Sequence, residues 1–352
     1  MKRAAPKLRI ITGILLILFI STAASADTIT LRKRNPAPSV PLGYDRLMLL
    51  NTIAPGTAQF LLDKPLEGLI YSSALPLTIT GGGLIIYSVY NEWAGLRFRP
   101  HKAQNGLNYL TEFAAYPEAP ASSNRAILAT GIGLFMCGNM FSAYSAYAAH
   151  RDYTDIYGLP EGELPVRDGR DSLGSLLLAP FTPRHVLTPE VLSYLTVSSS
   201  LKLASADLSS LKGYFSRKTV PIGSAQVSPA AGFFAHLGYA AAIITVKTAA
   251  EEIFYRGYVL EKNGNTSSAI QFGLSYIPNA LLPETSVEHT VLKSTLAAGS
   301  GYYSGSIAEN NLYHLHKSIA LNWWSSLFDS IISYTANPET TFPLGIGIKF
   351  SY

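Results

Sequence analysis

Two carboxylates stand side by side in the run Ala250-Glu251-Glu252-Ile253-Phe254-Tyr255-Arg256-Gly257. From Pro229 to Ala250, just before them, the only charged residue is Lys247. Carboxylates bordering so apolar a stretch are costly at membrane depth, so they call for partners and usually for a function. Glu252 and Arg256 are four apart, the helical spacing that brings opposite charges onto one face. Glu251 is rotated about 100° from Glu252 and is left without a local partner. One ion pair therefore uses up Glu252, and the run is the chain's best clue to function.

The elements that must hold this run are apolar. Of 352 residues, 48% are hydrophobic and 14% charged, against about 25% charged in an ordinary soluble domain. The mean hydropathy is +0.19. An integral membrane protein fits these values, and membrane lipids are its expected surroundings. The net charge of +4 is spread along the chain, so no nucleic-acid partner is expected. Cys137 is the single cysteine and forms neither an internal disulfide nor a thiolate metal site.

Residues 1–26 have the layout of a secretory signal. Lys2, Arg3, Lys7 and Arg9 precede the apolar Ile10 to Ile20, and Ala24-Ser25-Ala26 is a small-x-small cleavage site. The basic Arg32, Lys33 and Arg34 leave an uncleaved signal anchor as the alternative. Either route leads to a membrane, with the bacterial inner membrane as the expected location.

Residues 27–150 form a helical-hairpin region. Leu49 to Leu62, broken at Pro55-Gly56, suits a re-entrant or interfacial hairpin, and Leu66 to Tyr90 is long enough to span. Ala126 to Ala149 is another span, in which Gly131, Gly133, Gly138, Ser142 and Ser145 suit close helix packing. Gly81-Gly82-Gly83 reads as a kink or packing site. Residues 151–172 are a charged connector. Residues 173–336 then form a bundle containing Pro229 to Ala250, Ser267 to Leu282, Val287 to Ile307 and Leu312 to Tyr334. Trp323-Trp324 reads as an interfacial anchor. Residues 337–352 are an extended tail, β-like because Phe342, Leu344, Ile346, Ile348, Phe350 and Tyr352 alternate with other residues. The expected fold is an all-α polytopic bundle of about six to eight spans.

The Glu-Glu run resembles the first motif, EExxxRG, of the CPBP family, which holds the CAAX-type prenyl proteases and bacteriocin-processing intramembrane proteases. Phe272-Gly273-Leu274-Ser275-Tyr276-Ile277-Pro278-Asn279 resembles the setting of the family's second motif, FxxxH, with Tyr276 where the histidine belongs. Lys317-Ser318-Ile319-Ala320-Leu321-Asn322-Trp323-Trp324-Ser325-Ser326 resembles the third, with Asn322 at the histidine position and Ser326 at the Asn/Asp position. The likeness covers residues 173–336.

The resemblance implies an endopeptidase acting on a membrane-embedded or lipid-linked protein, with Glu251 as base activating a water, Glu252 and Arg256 as its positioning pair, and a divalent metal such as zinc. Tyr276 and Asn322 would then serve as oxyanion or substrate donors, since a phenol and an amide are poor zinc ligands. No HExxH spacing occurs among the seven histidines. His314 and His316, two apart, point about 200° from each other on a helix. The alternative function is a catalytically silent relative that binds or scaffolds membrane proteins.

Overall fold

The computed structural model describes residues 43–97, 122–158, 171–205, 213–222, 225–275, 287–309 and 314–336. They are mostly helical, with one two-stranded hairpin. The signal segment, the C-terminal tail, Tyr276 and His101 lie outside the described residues.

The N-terminal helices are α1 (Tyr44–Ile53), α2 (Thr57–Leu61), α3 (Pro65–Ser72), α4 (Ala74–Arg97) and α5 (Ser122–Tyr157). The α1–α2 hairpin turns at Gly56, whose φ of 92° favours glycine. Within the hairpin Gly56 N–H donates to Asn51 Oδ1 at 3.0 Å, and two contacts fasten it to α5: Gly56 N–H donates to Ser145 Oγ at 2.9 Å, and Gln59 Nε2 donates to the Ser145 carbonyl at 2.9 Å. Leu49 and Ile53 face outward, 61% and 66% exposed.

Helices α4 and α5 pack with their backbones in contact. A Cβ on Gly131 would lie 2.9 Å from the Gly81 carbonyl oxygen, and one on Gly138 would lie 2.7 Å from the Ala74 carbonyl oxygen. Gly82, Gly83 and Gly133 have no such neighbour, so the small residues singled out in the sequence divide into those at the seam and those off it.

The second half begins with α6 (Leu173–Leu178), a 3-10 turn (Ala179–Phe181), α7 (Pro183–Val186) and α8 (Pro189–Ser205). The hairpin β1 (Val220–Ile222) and β2 (Ala225–Val227) follows, pairing Val220 with Val227. Next come α9 (Pro229–Glu252), a π-helical turn (Ile253–Val259) and α10 (Leu260–Leu274), then α11 (Val287–Glu309) and α12 (His314–Ala336).

Three stretches are long and apolar enough to cross a membrane: Pro65–Ser88, Ile127–Tyr157 and Pro229–Leu274, with mean hydropathies of 1.5, 1.4 and 1.4. The third is not one straight span. It is interrupted by the π turn and again at Gly264, where φ 80° and ψ 168° leave the helical region. Helix α9 alone rises about 36 Å, enough for a hydrocarbon core of about 30 Å.

Two expectations are corrected. Helix α5 continues to Tyr157 instead of ending at the apolar boundary, and it buries His150 and Arg151 completely. This is possible because Arg151 pairs with Glu261 of α10 and Asp152 with Lys64 at 2.6 Å. Trp323 is not an interfacial anchor: it is 2% exposed and donates to Thr245 Oγ1 at 2.8 Å. Trp324, 38% exposed, is the outer member of the pair.

Candidate functional site

Glu252 is the last residue of α9 and lies 1% exposed. The stretch from Pro229 to Thr248 rises about 30 Å, the thickness of a hydrocarbon core, and both glutamates follow it. The buried Arg151–Glu261 pair joins α5 to the chain just past the π turn, and the partly buried Lys64–Asp152 pair adjoins it on α5.

Three side chains donate to the Glu252 carboxylate. Asn322 Nδ2 reaches Oε1 at 2.7 Å, Ser304 Oγ reaches Oε2 at 3.2 Å, and the Ser318 hydroxyl also meets Oε2. Ser318 and Asn322 are four apart on α12 and therefore share a face, while Ser304 comes from α11. Tyr194 of α8 stacks on Tyr303 of α11 at 5.4 Å and its hydroxyl meets Ser300, also on α11. Four helical elements thus converge where the sequence showed one charged run.

Arg256 is fully buried and stands 3.8 Å from Glu252 Oε2 through Nε. It is held more closely by other groups. Nη1 donates to Ser268 Oγ at 2.9 Å, and the guanidinium lies 4.9 Å from the centre of the Phe272 ring. Ser268 Oγ in turn donates to the Tyr255 carbonyl at 2.6 Å. That carbonyl also accepts Leu260 N–H, the i→i−5 bond of the π turn. Ser268 reaches back because the chain turns at Gly264. Gly257 lets the turn approach its neighbours, since a Cβ there would stand 3.0 Å from the Tyr147 ring.

Glu251 has a different setting. Its side chain is 32% exposed and 3.7 Å from Lys247 Nζ, an i,i+4 pair along α9. The expectation that it has no local partner is thereby corrected: a helical turn upstream supplies one. Glu252, Arg256 and Asn322 are brought together. Glu251 stands beside them, outside the hydrogen-bonded group.

Sequence reasoning missed Ser268, Ser304 and Ser318. Ser318 had a usable signal, being one helical turn before Asn322 in the stretch already singled out. Ser304 and Ser268 had none, because their roles depend on α11 crossing α12 and on the turn at Gly264. No described histidine makes a hydrogen bond or ion pair with either glutamate. His150 bonds Tyr44 Oη at 2.7 Å, His236 bonds Ser330 Oγ at 3.0 Å, and His185 stacks on His316.

The donor set around Glu252 is two hydroxyls, an amide and a guanidinium, which does not fit zinc with its preference for imidazole and thiolate. Among the described residues no three His, Cys, Asp or Glu side chains are grouped so as to hold a metal ion. No family model, curated protein or solved structure matches this chain.

Proposed function

We propose that this chain is a polytopic protein of a bacterial inner membrane, built as a CPBP-like bundle of six to eight spans. In this proposal the glutamate node holds the helices together and the protein acts as a membrane scaffold for other membrane-embedded or lipid-linked proteins. One observation carries it: both oxygens of Glu252 are engaged by Asn322, Ser304 and Ser318, with Arg256 alongside. A general base needs a lone pair open to water within hydrogen-bond reach, and this carboxylate spends its acceptors on the fold.

The second reading is a glutamate-led endopeptidase with Glu251 as base. Its support is the partly exposed Glu251 carboxylate, paired with Lys247, at the entrance to a π turn. Turns of that kind are frequent at functional sites.

Profiling protein N-termini in membranes separates the two readings. Cells carrying the wild-type chain are compared with cells carrying Glu251→Gln at equal abundance. The scaffold reading expects identical profiles. A new N-terminus within a membrane protein that depends on Glu251 would overturn it and establish the endopeptidase.

A further inference from the structure

A second polar cluster lies where α6 meets the start of α12, and it does not depend on the glutamate node. Ser175, in the first turn of α6, is exposed, and its hydroxyl is 3.1 Å from His316 Nε2. His316 is 4% exposed and carries Nδ1 3.9 Å from Asp171 Oδ1. Asp171 is itself fixed. Tyr147 Oη donates to its Oδ2 at 3.4 Å and accepts its backbone N–H at 3.1 Å, and Tyr144 Oη donates to its carbonyl at 2.8 Å. The His316 ring is held in plane by His185, stacked at 4.8 Å and 25°.

An accessible hydroxyl on a buried imidazole, oriented in turn by a buried carboxylate, is the arrangement that activates a serine nucleophile. The Ser175 hydroxyl also has the Ser172 carbonyl at 2.9 Å as an acceptor. Such hydrogen bonds are often loose before substrate arrives, so the 3.9 Å approach of Asp171 fits a resting site. The surroundings name the substrate class. Leu178, 61% exposed, is three residues from Ser175 on the same helix face, and Phe181 and Leu187 nearby are 57% and 67% exposed.

We infer that Ser175, His316 and Asp171 form a nucleophile, base and orienting acid for hydrolysis of carboxylic esters with an acyl chain, at the polar rim of the bundle. Ser175 Oγ bonds to the ester carbonyl carbon as its proton passes to His316 Nε2. The ester C–O bond breaks and the departing alkoxide takes that proton. Water, deprotonated by His316, then attacks the acyl-serine, releasing the carboxylic acid and restoring the hydroxyl.

The test is labelling of the purified full-length protein in micelles with a fluorophosphonate probe, alongside hydrolysis of 4-nitrophenyl esters of short and medium-chain acids. Expected is a single adduct on Ser175, lost in Ser175→Ala and His316→Gln. Ester turnover should fall roughly hundredfold or more in Ser175→Ala. Unchanged circular dichroism and melting of Ser175→Ala, whose hydroxyl is exposed, establish that the loss is chemical. A wild-type chain that stays unlabelled beside a labelled control hydrolase, or that hydrolyses esters no faster than Ser175→Ala, overturns the inference.

Discussion

Asn322 Nδ2 donates to Glu252 Oε1 at 2.7 Å, joining the end of α9 to the middle of α12. A hydrogen bond to a charged group contributes about 1.5–3 kcal/mol. Asn322→Ala should therefore lower stability in a denaturing-detergent titration by about that amount. Asn322→Asp should cost more, because it sets a second carboxylate against the first. Equal stability of Asn322→Asp and the wild type would show that this bond does not hold the node.

The two adjacent glutamates should behave differently. Glu252→Ala leaves Arg256 buried without its counter-charge, a change that costs about 3–5 kcal/mol. Adding Arg256→Met should recover much of the loss. Glu251→Gln breaks only a partly exposed pair with Lys247, worth about 0–1 kcal/mol. Unfolding midpoints of the four chains provide the measurement, and similar losses for Glu251→Gln and Glu252→Ala would contradict the arrangement.

The glycines of the α4–α5 seam give a third contrast. A methyl on Gly131 or Gly138 would meet backbone atoms of α4 at 2.7–3.0 Å, so alanine at either position must push the helices apart. Alanine at Gly83 or Gly133 meets nothing within 4 Å. It should be neutral or stabilising by about 0.5–1 kcal/mol through helix propensity. Thermal melts of the four variants in one detergent test the ordering.

His185 predicts the acid response. Its burial, and then the neighbouring charges of His316, Arg184 and Lys317, pull its pKa from 6.5 down to about 4, with Asp171 opposing them. The unfolded chain thus binds a proton that the folded chain refuses between these values. Stability from this group is complete above about 6.5 and is lost as pH falls toward 4. Melting temperatures measured from pH 7 to 4.5 should fall less steeply in His185→Gln than in the wild type.

Three helices of the second half were legible from apolar run length alone, since Pro229, Val287 and the stretch after Leu312 each open a helix close to where the pattern placed it, whereas the run from Ser267 belongs to a helix that already begins at Leu260. The Glu252–Arg256 pair was legible from its spacing. What remained hidden has a common cause. The extension of α5 through Arg151, the serines around Glu252 and the Ser175 cluster all depend on partners more than fifty residues away in the chain, some more than a hundred. Short-range periodicity carries no information about such pairs. The β1–β2 hairpin escaped notice for the opposite reason, because three-residue strands are too short to show alternation. The turn at Gly264 was written in Asn263-Gly264-Asn265, a recognisable turn signal.

The π turn at Ile253–Val259 has a consequence for how this chain can vary. Each i→i+5 bond takes in one more residue than an α-helical bond, so the turn acts as a one-residue phase shift built into a long helix. Everything before it is set for Ser304, Ser318 and Asn322, and Glu261 after it is set for Arg151. Deleting one residue from 253–259 would restore a plain α-helix and leave Glu261 facing Arg151, whereas deleting one from the α-helical stretch before the turn would swing Glu261 away by about 100°. The loss of one residue is therefore better absorbed inside this segment than in the helix before it.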